Sequence, residues 1–507
     1  MKHNDTPIPL EGMPILTAHE MARIEQRAIA EDPSLDELFM ETASRGMFEL
    51  VLGTIRQKDF SDHAILVCGK GNNAGDAYTI GTLLLAESIE VDAYQLFPLD
   101  ECSKLCRKHA AAFKSRGGVI HTIARPEEME IPSRRDIIID GIVGTGFTGT
   151  LTGLASDIVQ KINRSENCVF AIDIPSGIHG GTGEIGEAAI EANITAYLGA
   201  LKIGHLYNQG LENVGDLYHI DFGLETRFYD GAHFFGHVIN PEILRHNLHK
   251  PRRKAHKYEV GQVAVVAGSP NMPGAAVLAA NAALRSGAGM VKVFSSPEAI
   301  SKMHGLFPEV ILIPMEPEAL QNEMHRTRSL VVGPGLSRTK EAEQLVHHIF
   351  KLNAMKVIDG DALYFMTDKP PPRSILTPHE GELRRLLHAE PEVGQLELVD
   401  LAQNYVDRHD VILVYKGAPT TLFAKGLPKL VFPFGNQGMA KAGMGDVLAG
   451  MIGAFLLFHD DLREAAAMGT LLHQRAGDHV QARSSIHSLI ASDLIADLGP
   501  LFHHLEK

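Results

Sequence analysis

Near the C-terminal end, Ala440-Lys441-Ala442-Gly443-Met444-Gly445-Asp446 sets glycines and a carboxylate directly before the apolar stretch VLAGMIGAFLLF. If a helix begins near Gly445, glycines without a Cβ let backbone N–H groups face an anion, and the helix dipole favours negative charge there. Asp446 can then accept the proton of an attacking hydroxyl while the amides stabilise a migrating phosphoryl group, a role worth about 10²- to 10⁴-fold. The same carboxylate can equally be the cap of a buried helix. Other segments offer what phosphoryl transfer requires. Lys416, Gly417, Ala418, Pro419 and Thr420 follow the strand-like VILVY and bring a cation, a small residue and a hydroxyl to a nucleotide. Gly333-Pro334-Gly335 follows SLVV and permits close backbone approach. In TPHEGE, Thr377 takes a helix N-cap position with Pro378 at N1 and Glu380 at N3, so His379 is either a ligand contact or part of an ordinary cap.

The N-terminal half carries Gly69-Lys70-Gly71-Asn72-Asn73-Ala74-Gly75-Asp76 straight after the strand-like HAILVC. This fits GxGxxA, a weak dinucleotide fingerprint, with Asp92 at the end of the next strand as a possible ribose contact. The amides of Asn72 and Asn73 add oxygens and donors that a plain pyrophosphate loop does not need. Two further loops, residues 140–146 (DGIVGTG) and 173–177 (DIPSG), end strand-like runs and add Asp140, Asp173 and Ser176. Oxygen-rich surroundings of this kind suit a hard cation and not zinc.

The elements that must position these loops alternate between strand and helix. Residues 21–30 and 38–52 have helical spacing. HAILVCG, a glycine-rich turn, DAYTIGTLLLAES and VDAYQLF read as a βαβ unit. DIIIDGIVG and CVFAIDIP are continuous apolar runs, as in parallel strands buried on both faces. Residues 222–257 break this pattern and read as a linker ending in the basic HKPRRKAHK. QVAVVAGS, a helix over 274–285, MVKVFSS, RSLVVGPG, KVIDGDAL and VILVYKG then restart it. The expectation is an α/β protein of two domains, residues 1–230 and 231–507, both with parallel layers and ligands beyond the carboxyl ends of the strands.

Composition agrees with that size. A chain of 507 residues implies two to four domains at roughly 150 residues each. With 62 acidic against 47 basic residues, the net charge of −15 argues against nucleic-acid or anionic-membrane partners and for small molecules. The longest strongly apolar run, residues 447–458, is well short of the roughly 20 residues that span a bilayer. The four cysteines form no CxxC pair, so reduced thiols in the cytoplasm are expected.

Six ordered segments, from HKYEVGQVAVVAGSPNMPGAAVLAANAALRSGAGMV through VVGPGL, IDGDAL, TPHEGEL and KGAPT to GNQGMAKAGMGDVLAGMIGA, resemble the ribokinase-like ADP-dependent NAD(P)H-hydrate dehydratases. The resemblance implies a ribokinase-like α/β domain with Asp446 as catalytic base. It places Asp446, Ala275, Gly335 and His379 on the hydrated dinucleotide, and Lys416, Gly417, Ala418, Pro419, Thr420 and Gly445 on the adenine nucleotide. Mg²⁺ and ADP, as phosphoryl donor, are implied with it. Met444 stands where that family usually has Thr or Ser, removing a hydroxyl while keeping the glycine backbone. LTAHEMARIEQ, LFMETASRG, the three N-terminal loops and ALKIG are similar to the NAD(P)H-hydrate epimerase domain, which implies a Rossmann-like α/β/α sandwich. That resemblance puts substrate contacts on Asn72, Asn73, Ala74, Gly75, Asp76, Gly144, Thr145, Gly146, Phe147, Thr148, Gly149, Thr150 and Asp173. Asp173 is also the acid–base candidate, and K⁺ ligands fall on Asn73, Asp140 and Ser176. Ala74 and Ala77 replace glycines of the usual NNGGDG, and a methyl at Ala74 would obstruct a positive φ or crowd a ligand. The implied function is repair of hydrated NADH and NADPH in the cytoplasm by a homo-oligomer: epimerisation at C6 by the first domain and ADP-dependent dehydration of the S hydrate by the second. The alternative is a ribokinase-like ATP-dependent small-molecule kinase with an inactive N-terminal dinucleotide-binding module.

Overall fold

The apolar runs form strands as expected. In the computed structural model, which describes residues 8–57, 60–306, 308–323, 326–367 and 369–506, His63–Cys68, Ile137–Gly141 and Cys168–Ile172 are almost wholly buried. Their neighbours complete a parallel sheet in the order Val119–Thr122, Glu90–Gln95, His63–Cys68, Ile137–Gly141, Cys168–Ile172, Ile194–Leu198, Asp216–Ile220. One apolar cluster covers one face through helices Ala18–Glu31, Leu35–Gln57, Asn72–Ala86 and Lys104–Ser115, and a second, with helix Leu154–Arg164, covers the other. This is the expected α/β/α sandwich. The chain leaves His63–Cys68 in one direction and returns to Ile137–Gly141 on its other side. The loops after these two strands therefore flank a topological switch point, where parallel sheets open a crevice. The unit runs from Pro14 to Phe235.

The second unit comprises Gly236–Lys507 with the stretch up to Met13. Its sheet runs Ile311–Pro314, Met290–Ser295, Gln262–Val266, Thr327–Val332, Met355–Ile358, Ser374–Leu376, Ile412–Tyr415, Thr420–Phe423, Leu430–Phe432, Gly236–Ile239. Parallel pairing holds through Ile412–Tyr415, but Thr420–Phe423 is antiparallel to both of its neighbours. The reading of both halves as wholly parallel is corrected here. Only four residues separate Tyr415 from Thr420, too few for a crossover, so KGAPT is a hairpin turn. Helices Pro273–Arg285 and Met444–Phe455 pack closely because Gly450 lacks a Cβ, which would fall 2.2 Å from the Ala279 carbonyl oxygen.

Residues 222–257, read as a linker, are instead structured. Phe222 and Phe228 are buried in the first core, Gly236–Ile239 is a strand, and Ile239, Ile243 and Leu244 are buried in the second core. Single aromatic and aliphatic anchors set among polar residues carry no periodicity, which is why hydropathy missed them. Among the described residues no helix is long and apolar enough to cross a membrane, and no disulfide joins the cysteines.

Candidate active sites

A cavity of about 750 Å³ opens at the switch point of the first unit. Asn72, Asn73 and Asp76 from the first turns of Asn72–Ala86, Gly144, Thr145, Gly146, Phe147 and Thr150 from the loop after Ile137–Gly141, and Asp173 after Cys168–Ile172 all line it. Ala74 and Gly75 are buried within the helix, while Thr148 and Gly149 are exposed outside the lining. The expected obstruction by Ala74 does not arise. Its backbone is helical, with no positive φ, and its methyl group packs with Ala77 in the core. Ala77 in turn fits against Gly141, where a Cβ would lie 2.7 Å away. Asp92 is not at the cavity, because it sits near the start of its strand facing His63 and His121.

Asp173 is held from four directions. Lys202 Nζ lies 2.6 Å from Oδ1, the Leu198 amide donates to Oδ1 at 3.1 Å, and the Thr145 hydroxyl donates to Oδ2 at 3.0 Å. His205 Nε2 meets the Asp173 carbonyl oxygen at 2.8 Å. Its φ of +62° is a left-handed conformation, uncommon for a non-glycine residue and typical of functional sites. Burial works to raise its pKa, but the Lys202 ammonium wins and holds the carboxyl below its ordinary range. Asp76 is the opposite case: burial, opposed by a hydrogen bond from Ser44 and reinforced by Asp173, pushes it up to about 8.

Asn73, Asp140 and Ser176 converge beside this cavity. Ser176 donates from its hydroxyl to Asp140 Oδ1 at 2.6 Å and from its amide to Oδ2 at 2.8 Å, and Asn73 Nδ2 donates to the Val143 carbonyl at 3.1 Å. Asp140 is fully buried and pushed up to about 6 by burial, and among the described residues no lysine or arginine pairs with it. Asp140 accepts from the Ser176 hydroxyl and amide and the Ile142 amide, and with the Ser176 hydroxyl, the Val143 carbonyl and the Asn73 side chain it offers the oxygen donors that suit a hard cation.

In the second unit, Gly443 caps helix Met444–Phe455 at φ +92°, and Asp446 lies in its first turn, partly buried. The Met444 amide donates to the Lys441 carbonyl at 3.5 Å, while the Gly445 and Asp446 amides have no carbonyl partner within the helix and can face an anion. Met444 is buried in the core. Neighbouring strand ends bring Lys416, Asp359 and Thr377 to this turn. Lys416 Nζ lies 2.6 Å from Asp359 Oδ1 and 3.9 Å from Glu382 Oε2, and the Thr377 hydroxyl donates to Asp359 at 2.8 Å. A Cβ on Gly445 would sit 3.2 Å from Lys416 Nζ, which places the glycine at this cluster. Burial, then the charge of Asp359, pushes Asp446 up to about 7 against the pull of Lys416. Gly335, at φ +60°, abuts Ala275, its absent Cβ lying 2.8 Å from the alanine methyl. Thr420 donates to the Gly417 carbonyl at 3.0 Å across the turn that holds Ala418 and Pro419.

The cap reading of TPHEGE is shifted by two residues. His379 is the N-cap of Glu380–Leu387, with its ring accepting from the Gly381 and Glu382 amides and Glu382 closing a capping box. Thr377 is already engaged by Asp359, and the Pro378 carbonyl accepts from the Lys416 amide. The His379 side chain remains 61% exposed.

Residues 36–204 match the family described as YjeF-related protein N-terminus, and residues 263–499 match NAD(P)H-hydrate dehydratase. A Vibrio cholerae protein named bifunctional NAD(P)H-hydrate repair enzyme Nnr is 33% identical over 98% of this chain and 100% of its own length. The chain belongs to this family. An Escherichia coli protein of the same name is 32% identical over 86% of this chain and 84% of its own. An ADP/ATP-dependent NAD(P)H-hydrate dehydratase of Bacillus subtilis, crystallised with ATP and Mg²⁺, covers 53% of this chain and 98% of its own, at 29% identity and a TM-score of 0.47.

Sequence reasoning missed the charged residues that organise both sites of this repair-family chain: Lys202 and His205 in the first, Asp359 and Glu382 in the second. ALKIG and IDGDAL contain Lys202 and Asp359, each at the end of a buried strand. A charge at the end of an apolar run was the available signal.

Proposed function

We propose that the chain repairs hydrated NADH and NADPH, with residues 1–230 as the epimerase domain and residues 231–507 as the dehydratase domain. Hydration across C5–C6 of the dihydronicotinamide ring leaves a hydroxyl that is a poor leaving group, and phosphorylation improves it. Asp446 takes the hydroxyl proton as the oxygen attacks the terminal phosphorus of ADP, and AMP departs. The ring-nitrogen electron pair then expels phosphate, and loss of a proton from C5 restores the reduced cofactor. The observation that carries this reading is a partly buried carboxylate raised to about 7, seated among helix-start amides beside Lys416. A base with that affinity is matched to neutral pH. Lys416, Gly417, Ala418, Pro419, Thr420 and Gly445 hold the adenine nucleotide, and Ala275, Gly335 and His379 contact the hydrated dinucleotide. Mg²⁺ would sit with the terminal phosphate of ADP at the Gly443–Gly445 turn, where it would supply charge neutralisation on the phosphates.

In the first domain Asn72, Asn73, Asp76, the loop 144–150 and Asp173 bind the hydrate, and Asp173 serves as acid–base group. Asn73, Asp140 and Ser176 would hold K⁺, whose charge would order these loops. A homo-oligomer in the cytoplasm is part of this proposal. The test is recovery of dihydronicotinamide absorbance from hydrated NADH with ADP or ATP, with Asp446→Asn as the inactive control. Recovery with wild type alone is expected. No recovery with either nucleotide, or a stable phosphorylated product, would reject the dehydratase reading.

A further inference from the structure

The epimerase cavity contains a carboxyl for which the reading above has no use. Glu25 projects from helix Ala18–Glu31 and lines the cavity together with Ile29, one turn further on. Its carboxyl makes no hydrogen bond or ion pair among the described residues. Of the other charged groups at or near the cavity, Lys202 is engaged by Asp173 and the Leu198 carbonyl, Asp76 by Ser44, Asp173 by its four contacts and Lys70 by the Phe97 ring, while Asp36 is exposed to solvent. Among the carboxyls of the lining that are shielded from solvent, Glu25 is the one without a hydrogen-bond partner among the described residues.

Inversion at C6 makes a specific demand. That carbon bears both the hydroxyl and the ring nitrogen N1, so it is a carbinolamine centre, and opening it needs one group to take a proton and another to give one. We infer that Glu25 is a second catalytic residue of the epimerase site, acting as the acid that protonates N1 while Asp173 acts as the base on the C6 hydroxyl. This inference rests on the epimerase reading. The hydroxyl proton passes to Asp173, the electron pair of the O–H bond forms the aldehyde C=O as the C6–N1 bond breaks, and the pair left on N1 takes the proton of Glu25. Rotation about C5–C6 presents the other face, and the reverse transfers close the ring with both carboxyls restored. No oxidant, metal or external reactant is consumed.

The protonation states support this division. Lys202 keeps Asp173 ionised. Glu25 is pushed up to about 7 by burial, with Lys202 opposing and Asp173 reinforcing the rise. The groups that sense its charge are Lys202, Asp173, Asp76 and Tyr229. Two carboxyls with separated proton affinities in one cavity make an acid and a base available at the same pH.

The test uses the full chain, supplied with R hydrate of NADH and saturating ADP or ATP, whichever drives dehydration, so that each inverted molecule is recovered as NADH absorbance. Glu25→Gln, nearly isosteric, is expected to slow R-hydrate recovery by about 10²- to 10⁴-fold. S-hydrate recovery by the same preparation reports an intact dehydratase domain, and NADH binding to the cavity reports a folded epimerase domain with an intact pocket. Wild-type inversion is expected to fall as pH rises through about 7, where Glu25 loses its proton, and Glu25→Asp is expected to restore part of the rate. A Glu25→Gln rate within twofold of wild type, or a loss confined to KM, overturns the inference alone. Wild-type inversion no faster than the spontaneous rate overturns the epimerase reading and this inference with it. Incorporation of one solvent oxygen-18 per inversion also overturns it, because C6–O and not C6–N1 would then be the bond that breaks.

Discussion

Ionisation of Asp446 is expected to set the pH dependence of dehydration. Burial and the charge of Asp359 push its carboxyl up to about 7, and Lys416 pulls it down. A base works only when ionised, so kcat at saturating nucleotide should climb about tenfold between pH 6 and pH 8 and then level. The neighbours fix the sign of two perturbations. Asp359→Asn removes the charge that raises Asp446 and also frees Lys416, which Asp359 holds at 2.6 Å, to act on Asp446. Both effects favour the ionised base, so the limb should move to lower pH by roughly one to three units, the usual reach of a charge at this range. Lys416→Met removes the pull in the other direction and should move the limb to higher pH. The assay is NADH recovery from S hydrate across pH 5 to 9, with nucleotide raised until the rate no longer depends on it. Limbs that stay fixed in both variants, or that move the same way, would refute Asp446 as the titrating base.

Lys202→Met strands Asp173 in a buried position. Breaking such a pair costs about 3–5 kcal/mol, against at most about 1 kcal/mol for an exposed one, so urea unfolding followed in the first unit should show the larger loss. Because the folded pKa of Asp173 is depressed, the pair's contribution is present above the unfolded carboxylate pKa and disappears on acidification, so variant and wild type should converge at low pH. Gly445→Ala places a methyl 3.2 Å from the flexible Lys416 ammonium and should leave the melting temperature near wild type while weakening nucleotide binding in calorimetry. Gly333→Ala, at φ +123° with the Asp359 carbonyl 1.7 Å from the new Cβ, should instead cost the fold itself. Exchanging choline for K⁺ at constant ionic strength should lower the melting temperature of wild type, and Asp140→Asn should abolish that dependence.

What could be read from the sequence was whatever is written locally. Strand positions followed from unbroken apolar runs such as HAILVC and CVFAI, because strands covered on both faces need no polar alternation. The glycine-rich turns followed from residue type. The charged partners did not, since Lys202 meets Asp173 across 29 positions and Lys416 meets Asp359 across 57, and nothing in either local pattern marks the pairing. The same cause displaced the cap at TPHEGE: a threonine before a proline is a good N-cap until a distant aspartate claims its hydroxyl. Ala74 shows the converse. Its difference from glycine looked harmful in sequence, yet the helix begins two residues earlier, so no positive φ is required and the methyl fills core.

The two sites, built on unrelated loops, divide their charge in one way. Each places a lysine against one aspartate at 2.6 Å, Lys202 with Asp173 and Lys416 with Asp359, and leaves a second carboxyl nearby without such a clamp. The unclamped Glu25 and Asp446 are both pushed up to about 7, and Asp76, bonded to Ser44 and to no cation, goes to about 8. The cause is shared: a buried site accommodates one anion against one cation, and a second carboxyl in the same low-dielectric space ionises only at higher pH. The lysine therefore does more than neutralise its partner. By fixing which carboxyl stays ionised, it makes the other the group that exchanges protons near neutrality, and replacing either lysine should blur that distinction before it empties the site.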